Sequence, residues 1–301
     1  MLSDIPLNAI RTVLTAYILH FYYIFDYVIL WRTKMTPMSF DEMRSVQINI
    51  LQVIHDFCEK HGIRYSMACG TLLGAVRHKG YIPWDDDIDI YLLREDYEKL
   101  ISQFPEQLNN IKIASLSRDP SWEYAYAKAY DERTFVKETA VVNKPIGVNI
   151  DVYPIDRVPE DKSQWKRYNL KRKIIHKAYY VKFLKFDKER PLLKNLFHIA
   201  TKLLLFPVSL RKLAEIINKY SQKYNNTESP LVFESIQGWR VKNPFLRQSM
   251  QEVIDMPFEN SVFKGMQGYD DYLKAAYGKY MELPPVEKRV NHHTFVPYWK
   301  K

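Results

Sequence analysis

Apolar residues recur at helical spacing after Ser39, with Met43, Val46, Ile50, Val53, Ile54 and Phe57 falling on one helix face. Ser39-Phe-Asp-Glu42 marks the start, a hydroxyl acceptor with a carboxylate three residues on, and Gly62 marks the end. Ile63 to Cys69 then reads as a short buried strand. A sharp turn at Gly70 opens a second helix from Thr71 to His78, which Gly80 and Pro83 break. Ile88 to Leu93 predicts the next strand and Arg94 to Phe104 a charged helix. Three more strands follow at Ile111 to Leu116, Tyr124 to Tyr130 and Ile146 to Tyr153. The last alternates: Ile146, Val148, Ile150 and Val152 point one way, Gly147, Asn149, Asp151 and Tyr153 the other. Interleaved strands and helices to about residue 160 predict one α/β unit.

The pattern changes after Pro159. From Lys162 to Tyr224 lysines and arginines interleave with aliphatic and aromatic residues, and Pro191 and Pro207 divide the stretch into helices. From about Phe233 the tail mixes short strands with one helix, Tyr269 to Tyr277. At the other end, Thr12 to Trp31 is almost wholly apolar, interrupted by His20 and Asp26. No small-residue cleavage site follows it, which argues against a secretory signal. Its length would reach across a bilayer, but Asp26 in hydrocarbon would cost on the order of 2–3 kcal/mol or more. A helix docked on the protein, an interfacial membrane helix and a span all fit this segment. The chain therefore divides into an apolar leader (1–37), an α/β core (38–160), a basic helical region (161–232) and a C-terminal segment (233–301).

The charge narrows the partners. The chain has 301 residues and a net charge of +9, which implies an anionic partner: nucleic acid, an anionic membrane surface or a phosphorylated substrate. No recognised nucleic-acid module is present and the basic residues are mixed with Leu, Ile and Phe as in packed helices, which argues against nucleic acid. The basic region reads either as a solvated helical face or as a surface for anionic lipid or a polyanionic acceptor. Cys58 and Cys69, the only cysteines, sit in apolar segments and read as buried reduced residues, which suits a cytoplasmic protein.

The chemistry concentrates between residues 70 and 89. Asp85, Asp86, Asp87 and Asp89 crowd four carboxylates into five residues. On a strand from Ile88, Asp87 and Asp89 would project together from the face opposite the core, a place for a hard divalent cation such as Mg²⁺. Asp85 and Asp86 read as support for the turn. Gly70 and Thr71 supply the complementary half, a glycine that lets backbone approach a ligand and a helix N-terminus facing an anion. Arg77 and Lys79 would neutralise further phosphate charge. Asp151, on its alternating strand, is the third carboxylate, with Asp156 as the alternative. Phosphate cradle plus metal carboxylates is the arrangement of phosphoryl and nucleotidyl transfer.

The run from Gly70 to Ile90 (GTLLGAVRHKGYIPWDDDIDI) resembles the signature of the LicD family, which includes phosphorylcholine transferases and is related to the fukutin group. Tyr126-Ala-Lys128, the segment Ile150 to Asp156, and Tyr277 to Pro285 with Arg289 and His293 support the resemblance, which covers Asp41 to the C-terminus. It implies a nucleotidyltransferase-like mixed sheet with helices. It also implies transfer of phosphorylcholine or a related phospho-substituent from a CDP-linked donor, such as CDP-choline, to a hydroxyl of a glycan or glycolipid acceptor. On these positions Asp87, Asp89 and Asp151 would bind Mg²⁺ (or Mn²⁺), Asp151 serving as third ligand or general base. Gly70, Thr71 and Arg77 would hold donor phosphates, Lys128 would offset charge on the leaving group, and Arg289 and His293 would contact phosphate. Trp84 would offer its ring to a quaternary ammonium. Such an enzyme would work in the cytoplasm or at the inner face of the cell membrane, touching it through residues 12–31 and the basic region. A nucleotidyltransferase acting on a sugar phosphate or nucleic acid, and a non-catalytic membrane-associated scaffold, are the competing readings.

Overall fold

The computed structural model describes residues 35–138, 145–184, 192–238, 241–290 and 295–301. The apolar segment 12–31 and His293 lie outside the described residues. The chain enters on Thr36–Pro37 (β1), and Phe40–His61 follows as helix α1. Ser39 caps α1 reciprocally: its hydroxyl accepts the Glu42 N–H at 3.2 Å, and the Glu42 carboxylate accepts the Ser39 N–H at 2.8 Å. Gly62, at φ +59, ends it in the left-handed conformation that glycine adopts without strain.

The expected strand from Ile63 shrinks to Ser66–Met67 (β2), and α2 begins at Cys69 and ends at Arg77. The reversal falls on Cys69, at φ +47, and not on Gly70, whose φ is ordinary. Cys69 is held there from outside the segment, its N–H donating to the Tyr272 hydroxyl at 3.4 Å and its Sγ lying 3.2 Å from the Tyr91 hydroxyl. Then come Asp89–Leu93 (β3), Arg94–Gln103 (α3), Ile111–Ala114 (β4), Ala127–Asp131 (β5), Thr134–Glu138 (β6) and Asn149–Arg157 (β7). The basic region forms three helices, α4 (Lys162–Phe183), α5 (Leu192–Leu204) and α6 (Leu210–Ser221). The tail adds Leu231–Phe233 (β8), Phe245–Leu246 (β9), the single turn Gln248–Gln251 (α7), Val253–Phe258 (β10), Ser261–Met266 (β11), Tyr269–Tyr277 (α8) and Phe295–Trp299 (β12).

The main sheet runs β10-β11-β2-β3-β7-β5-β4. Only β11/β2 and β3/β7 are parallel pairs along that path, so it is mixed. Helix α1 packs across β5, β7 and β11 and buries Met43, Val46, Ile50, Leu51, Ile54 and Phe57, each side chain contributing roughly 1.5–3 kcal/mol. A second small sheet, β1-β12-β6, joins the two ends of the described chain. The basic helices are pinned to the core by a buried ion pair. Arg94 of α3 grips Asp156 of β7 through two hydrogen bonds, at 2.8 and 2.6 Å, and reaches Asn218 and Ser221 of α6. Asp156, the alternative metal ligand, is therefore a fully buried structural anchor. Among the described residues no helix is long and apolar enough to cross a membrane.

Candidate active site

β3 stops short of Asp87, so only Asp89 stands on a strand and the expected Asp87/Asp89 strand face does not form. Parallel pairing sets Asp89 directly beside Asp151 of β7, and the antiparallel neighbour β5 sets Lys128 beside Asp151. The three residues form one row across the sheet. Lys128 Nζ pairs with Asp151 Oδ1 at 2.7 Å and also donates to Asn149 Oδ1 at 3.0 Å. The Tyr153 hydroxyl donates to Asp151 Oδ2 at 2.9 Å and in turn accepts from Gln237 Nε2 at 2.9 Å. Both Asp151 oxygens are thus held. Burial, with the Asp151 charge adding to it, pushes the Tyr153 phenol well above its ordinary pKa of 10, which keeps it a donor.

The acidic loop is built from elsewhere. One Arg44 amino group donates to the Ile82, Pro83 and Asp85 carbonyls, at 3.0, 3.2 and 2.5 Å. Buried Gln47 donates to the Asp86 carbonyl at 2.9 Å and accepts from the Tyr81 hydroxyl at 2.9 Å. In the sequence these two α1 residues are simply polar positions of an amphipathic helix. Spacing alone carries no signal for them. So held, Asp85, Asp86 and Asp87 present carboxylate oxygens that all lie within 4.8 Å of one another, the one such acidic group among the described residues. The expected trio Asp87, Asp89 and Asp151 is not gathered to that distance.

The phosphate half also differs in detail. The Thr71 hydroxyl is buried and accepts the Asp89 N–H at 2.9 Å, which ties the start of α2 to the start of β3. Gly70 sits where a Cβ would run into the Asp85 carboxylate, so the close approach its lack of a side chain permits is to this protein's own anion. Arg77 donates to the Tyr280 and Glu282 carbonyls at 2.6 and 3.1 Å and anchors the C-terminal segment. Lys79 is exposed on the turn after α2, at φ +62, and its Nζ donates to the Val76 carbonyl. It does not line the cavity described next. Arg289 lies 5.7 Å over the Trp84 ring, so that ring already carries a cation.

A cavity of about 640 Å³ opens beside the acidic loop, lined by Gly70, Arg77, Trp84 and Asp85 to Asp87 on one side and by Tyr277, Lys279, Tyr280 and Glu282 to Pro285 on the other. A mixed-sheet core of this kind, with clustered carboxylates beside a cleft and a lysine across the strands, belongs to the class of phosphate-transferring enzymes.

Comparison with known proteins agrees. Residues 62–191 match the family described as LicD/FKTN/FKRP, nucleotidyltransferase domain. The chain is 31% identical over 271 residues to the lipopolysaccharide cholinephosphotransferase LicD of Haemophilus influenzae, covering 86% of this chain and 97% of that protein. It is 37% identical over 83 residues to the human ribitol 5-phosphate transferase FKRP, covering 28% of this chain and 13% of FKRP. The chain belongs to the LicD family, and it is a phosphotransferase.

Proposed function

We propose that this enzyme moves phosphorylcholine, or a closely related phospho-substituent, from a CDP-activated donor to a hydroxyl of a cell-surface glycan. The relative that matches along nearly its whole length acts, by its name, on lipopolysaccharide with a cholinephosphate group. The observation that carries the reading is the convergence of Asp85, Asp86 and Asp87 on the wall of a substrate-sized cleft, next to the Asp89–Asp151–Lys128 row.

Three hard oxygen donors at one wall fit Mg²⁺, with Mn²⁺ as the alternative, and Asp85, Asp86 and Asp87 would hold it. Asp89 and Asp151, expected beside Asp87 in that role, stand next to the cluster on β3 and β7. A bound cation there would offset charge on donor phosphate oxygens. The chain's own groups do the remainder. Lys128, fixed between Asp151 and Asn149, presents an ammonium whose direction is set before substrate arrives, which favours charge developing on the phosphoryl and leaving-group oxygens. Asp151, with Lys128 on one oxygen and Tyr153 on the other, orients that lysine and is poorly placed to act as the general base. Arg77 fixes the Tyr280–Glu282 backbone over the cleft, and Arg289 on Trp84 is the cation next to a seated phosphate.

Peripheral contact with the inner face of the cell membrane, for a cytoplasmic enzyme with a lipid-borne acceptor, is part of the same proposal. Its support is α5 and the residues after it, where Leu203, Leu204 and Phe206 are 69, 80 and 82% exposed on a strongly basic region. The test is turnover of a panel of CDP-linked donors by purified full-length protein with and without Mg²⁺, using lipopolysaccharide oligosaccharide as acceptor. CDP-choline should be consumed with phosphorylcholine appearing on the glycan. No turnover across the panel would refute the proposal.

A further inference from the structure

A second cavity, about 810 Å³, lies between α4 and the turn at Ile236 to Gly238, and it shares no lining residue with the first. Its walls combine tyrosine faces with cations: Tyr124 and Tyr126 on one side, Lys173, Lys177 and Lys242 around it, and no aspartate or glutamate. Among the described residues none of these three lysines is in an ion pair. His176 also lines the cavity, and its Nε2 is buried with no hydrogen-bond partner among the described residues.

The cavity is coupled to the reaction row by two side chains. Gln237 lines it and donates to Tyr153, which donates to Asp151. Tyr126 lines it, packs 4.4 Å from the Tyr153 ring, and lies 5.7 Å from Lys128 Nζ. Its rim meets the exposed face of α5, where Lys177 Nζ lies 5.2 Å from the Phe197 ring.

We propose that this cavity is the acceptor site, seating a phosphate-bearing sugar on the tyrosine faces with its anionic group between Lys173, Lys177 and Lys242. The inference rests on the transferase reading above. Flat aromatic faces take the apolar side of a sugar ring, and three lysines in a wall without carboxylates select a phosphate. An opening toward the apolar face of α5 suits a sugar that remains attached to lipid.

The test compares wild type with a Lys173→Ala/Lys177→Ala variant. CDP-choline is the donor, and the acceptor is deacylated lipopolysaccharide oligosaccharide, either phosphorylated or phosphatase-treated. The lysine variant should raise the acceptor KM about tenfold with the donor KM moving less than twofold, and Lys→Arg replacements should restore it. Phosphatase treatment should bring the wild-type acceptor KM up to that of the variant. An unchanged acceptor KM overturns the proposal, and so does a rise confined to the donor KM, which would put the nucleotide in this cavity. Calorimetric titration with the phosphorylated oligosaccharide alone separates the two readings. Binding that the lysine variant loses, without turnover in wild type, supports the cavity assignment and removes the choline-transfer proposal. Equal binding by both proteins removes the cavity assignment.

Discussion

Replacing Gly70 with alanine should leave the fold intact and weaken the cation site. A methyl group there falls on the Asp85 carboxylate, and an oxygen has to retreat by about 1 Å to regain ordinary contact at 3.4 Å. Backbone strain does not enter, because Gly70 has an ordinary φ within the first turn of α2. Two opposed terms set the stability change. Alanine is favoured over glycine in a helix by roughly 0.5–1 kcal/mol, while moving a carboxylate away from a helix N-terminus costs roughly 0.3–1 kcal/mol. They nearly cancel, so the melting temperature should move by no more than about 3 °C. The site has no such compensation. Displacing one of three converging carboxylates should lower Mg²⁺ affinity at least about tenfold, or about 1.4 kcal/mol.

Calorimetric titration with Mg²⁺ and a thermal melt read the two quantities separately. Gly74→Ala is the contrasting control. Its methyl would meet the Gly80 backbone carbonyl, which has no side-chain torsion by which to yield, so that variant should lose roughly 1–3 kcal/mol of stability. Unchanged Mg²⁺ affinity in Gly70→Ala would show that Asp85 is not a cation ligand. A melt lowered by more than about 10 °C would show that the glycine serves the fold instead.

Asp87→Asn and Asp89→Asn should each reduce turnover at least about a thousandfold with melting retained; activity within tenfold of wild type in both would remove these two carboxylates from the chemistry. Arg94→Ala strands Asp156 in the interior, and urea unfolding should register a loss of about 3–5 kcal/mol. Burial, with the Arg172 charge adding to it, pushes His176 down to about 4 from an ordinary 6.5. The unfolded chain therefore takes up the proton at higher pH than the folded one. The contribution of this group is complete above pH 6.5 and lost as pH falls toward 4, about 3 kcal/mol in all. His176→Phe should flatten the stability profile across that window, and a profile parallel to wild type would contradict the assignment.

How much of this could be read from the chain alone depended on the range of the interactions. Helix α1 was legible at both ends because its capping box and terminal glycine act within four residues. The Ile63–Cys69 run is ambiguous in the sequence because apolar residues look alike whether they enter a strand or the first turn of a buried helix, and the deciding contacts come from Tyr272 and Tyr91, far along the chain. The two-residue period that would set Asp87 on a strand begins only at Asp89. The grouping of Asp87 with Asp85 and Asp86 depends on Arg44 and Gln47, some 40 residues earlier, whose tethers leave no trace in local spacing. The β10–β11 hairpin beside β2, and the pairing of Thr36–Pro37 with Tyr298 and Trp299, are likewise long-range.

The mixed character of the sheet bears on the chemistry through register. Asp89 and Asp151 come side by side through the register of the parallel β3/β7 pair, and Lys128 joins them through the register of the antiparallel β5/β7 pair. Side chains alternate along a strand, so a slip of one residue in β5 would send Lys128 to the opposite face and bring Ala127 or Ala129 into the row. The residues that prevent the slip are those that fill the core on the other side: Ala127 and Ala129 are fully buried beside Val152 and Ile150. Larger residues there would have to move into α1, which crosses β5 and β7. The alanines that accept the helix thus also hold the lysine in line with its aspartate. This makes Ala129→Leu a second route to inactivation that touches no charged group. It should cost roughly 1–3 kcal/mol of stability, and its remaining folded fraction should turn over CDP-choline as poorly as a Lys128→Ala enzyme. Full activity per folded molecule would show that register is held by other contacts.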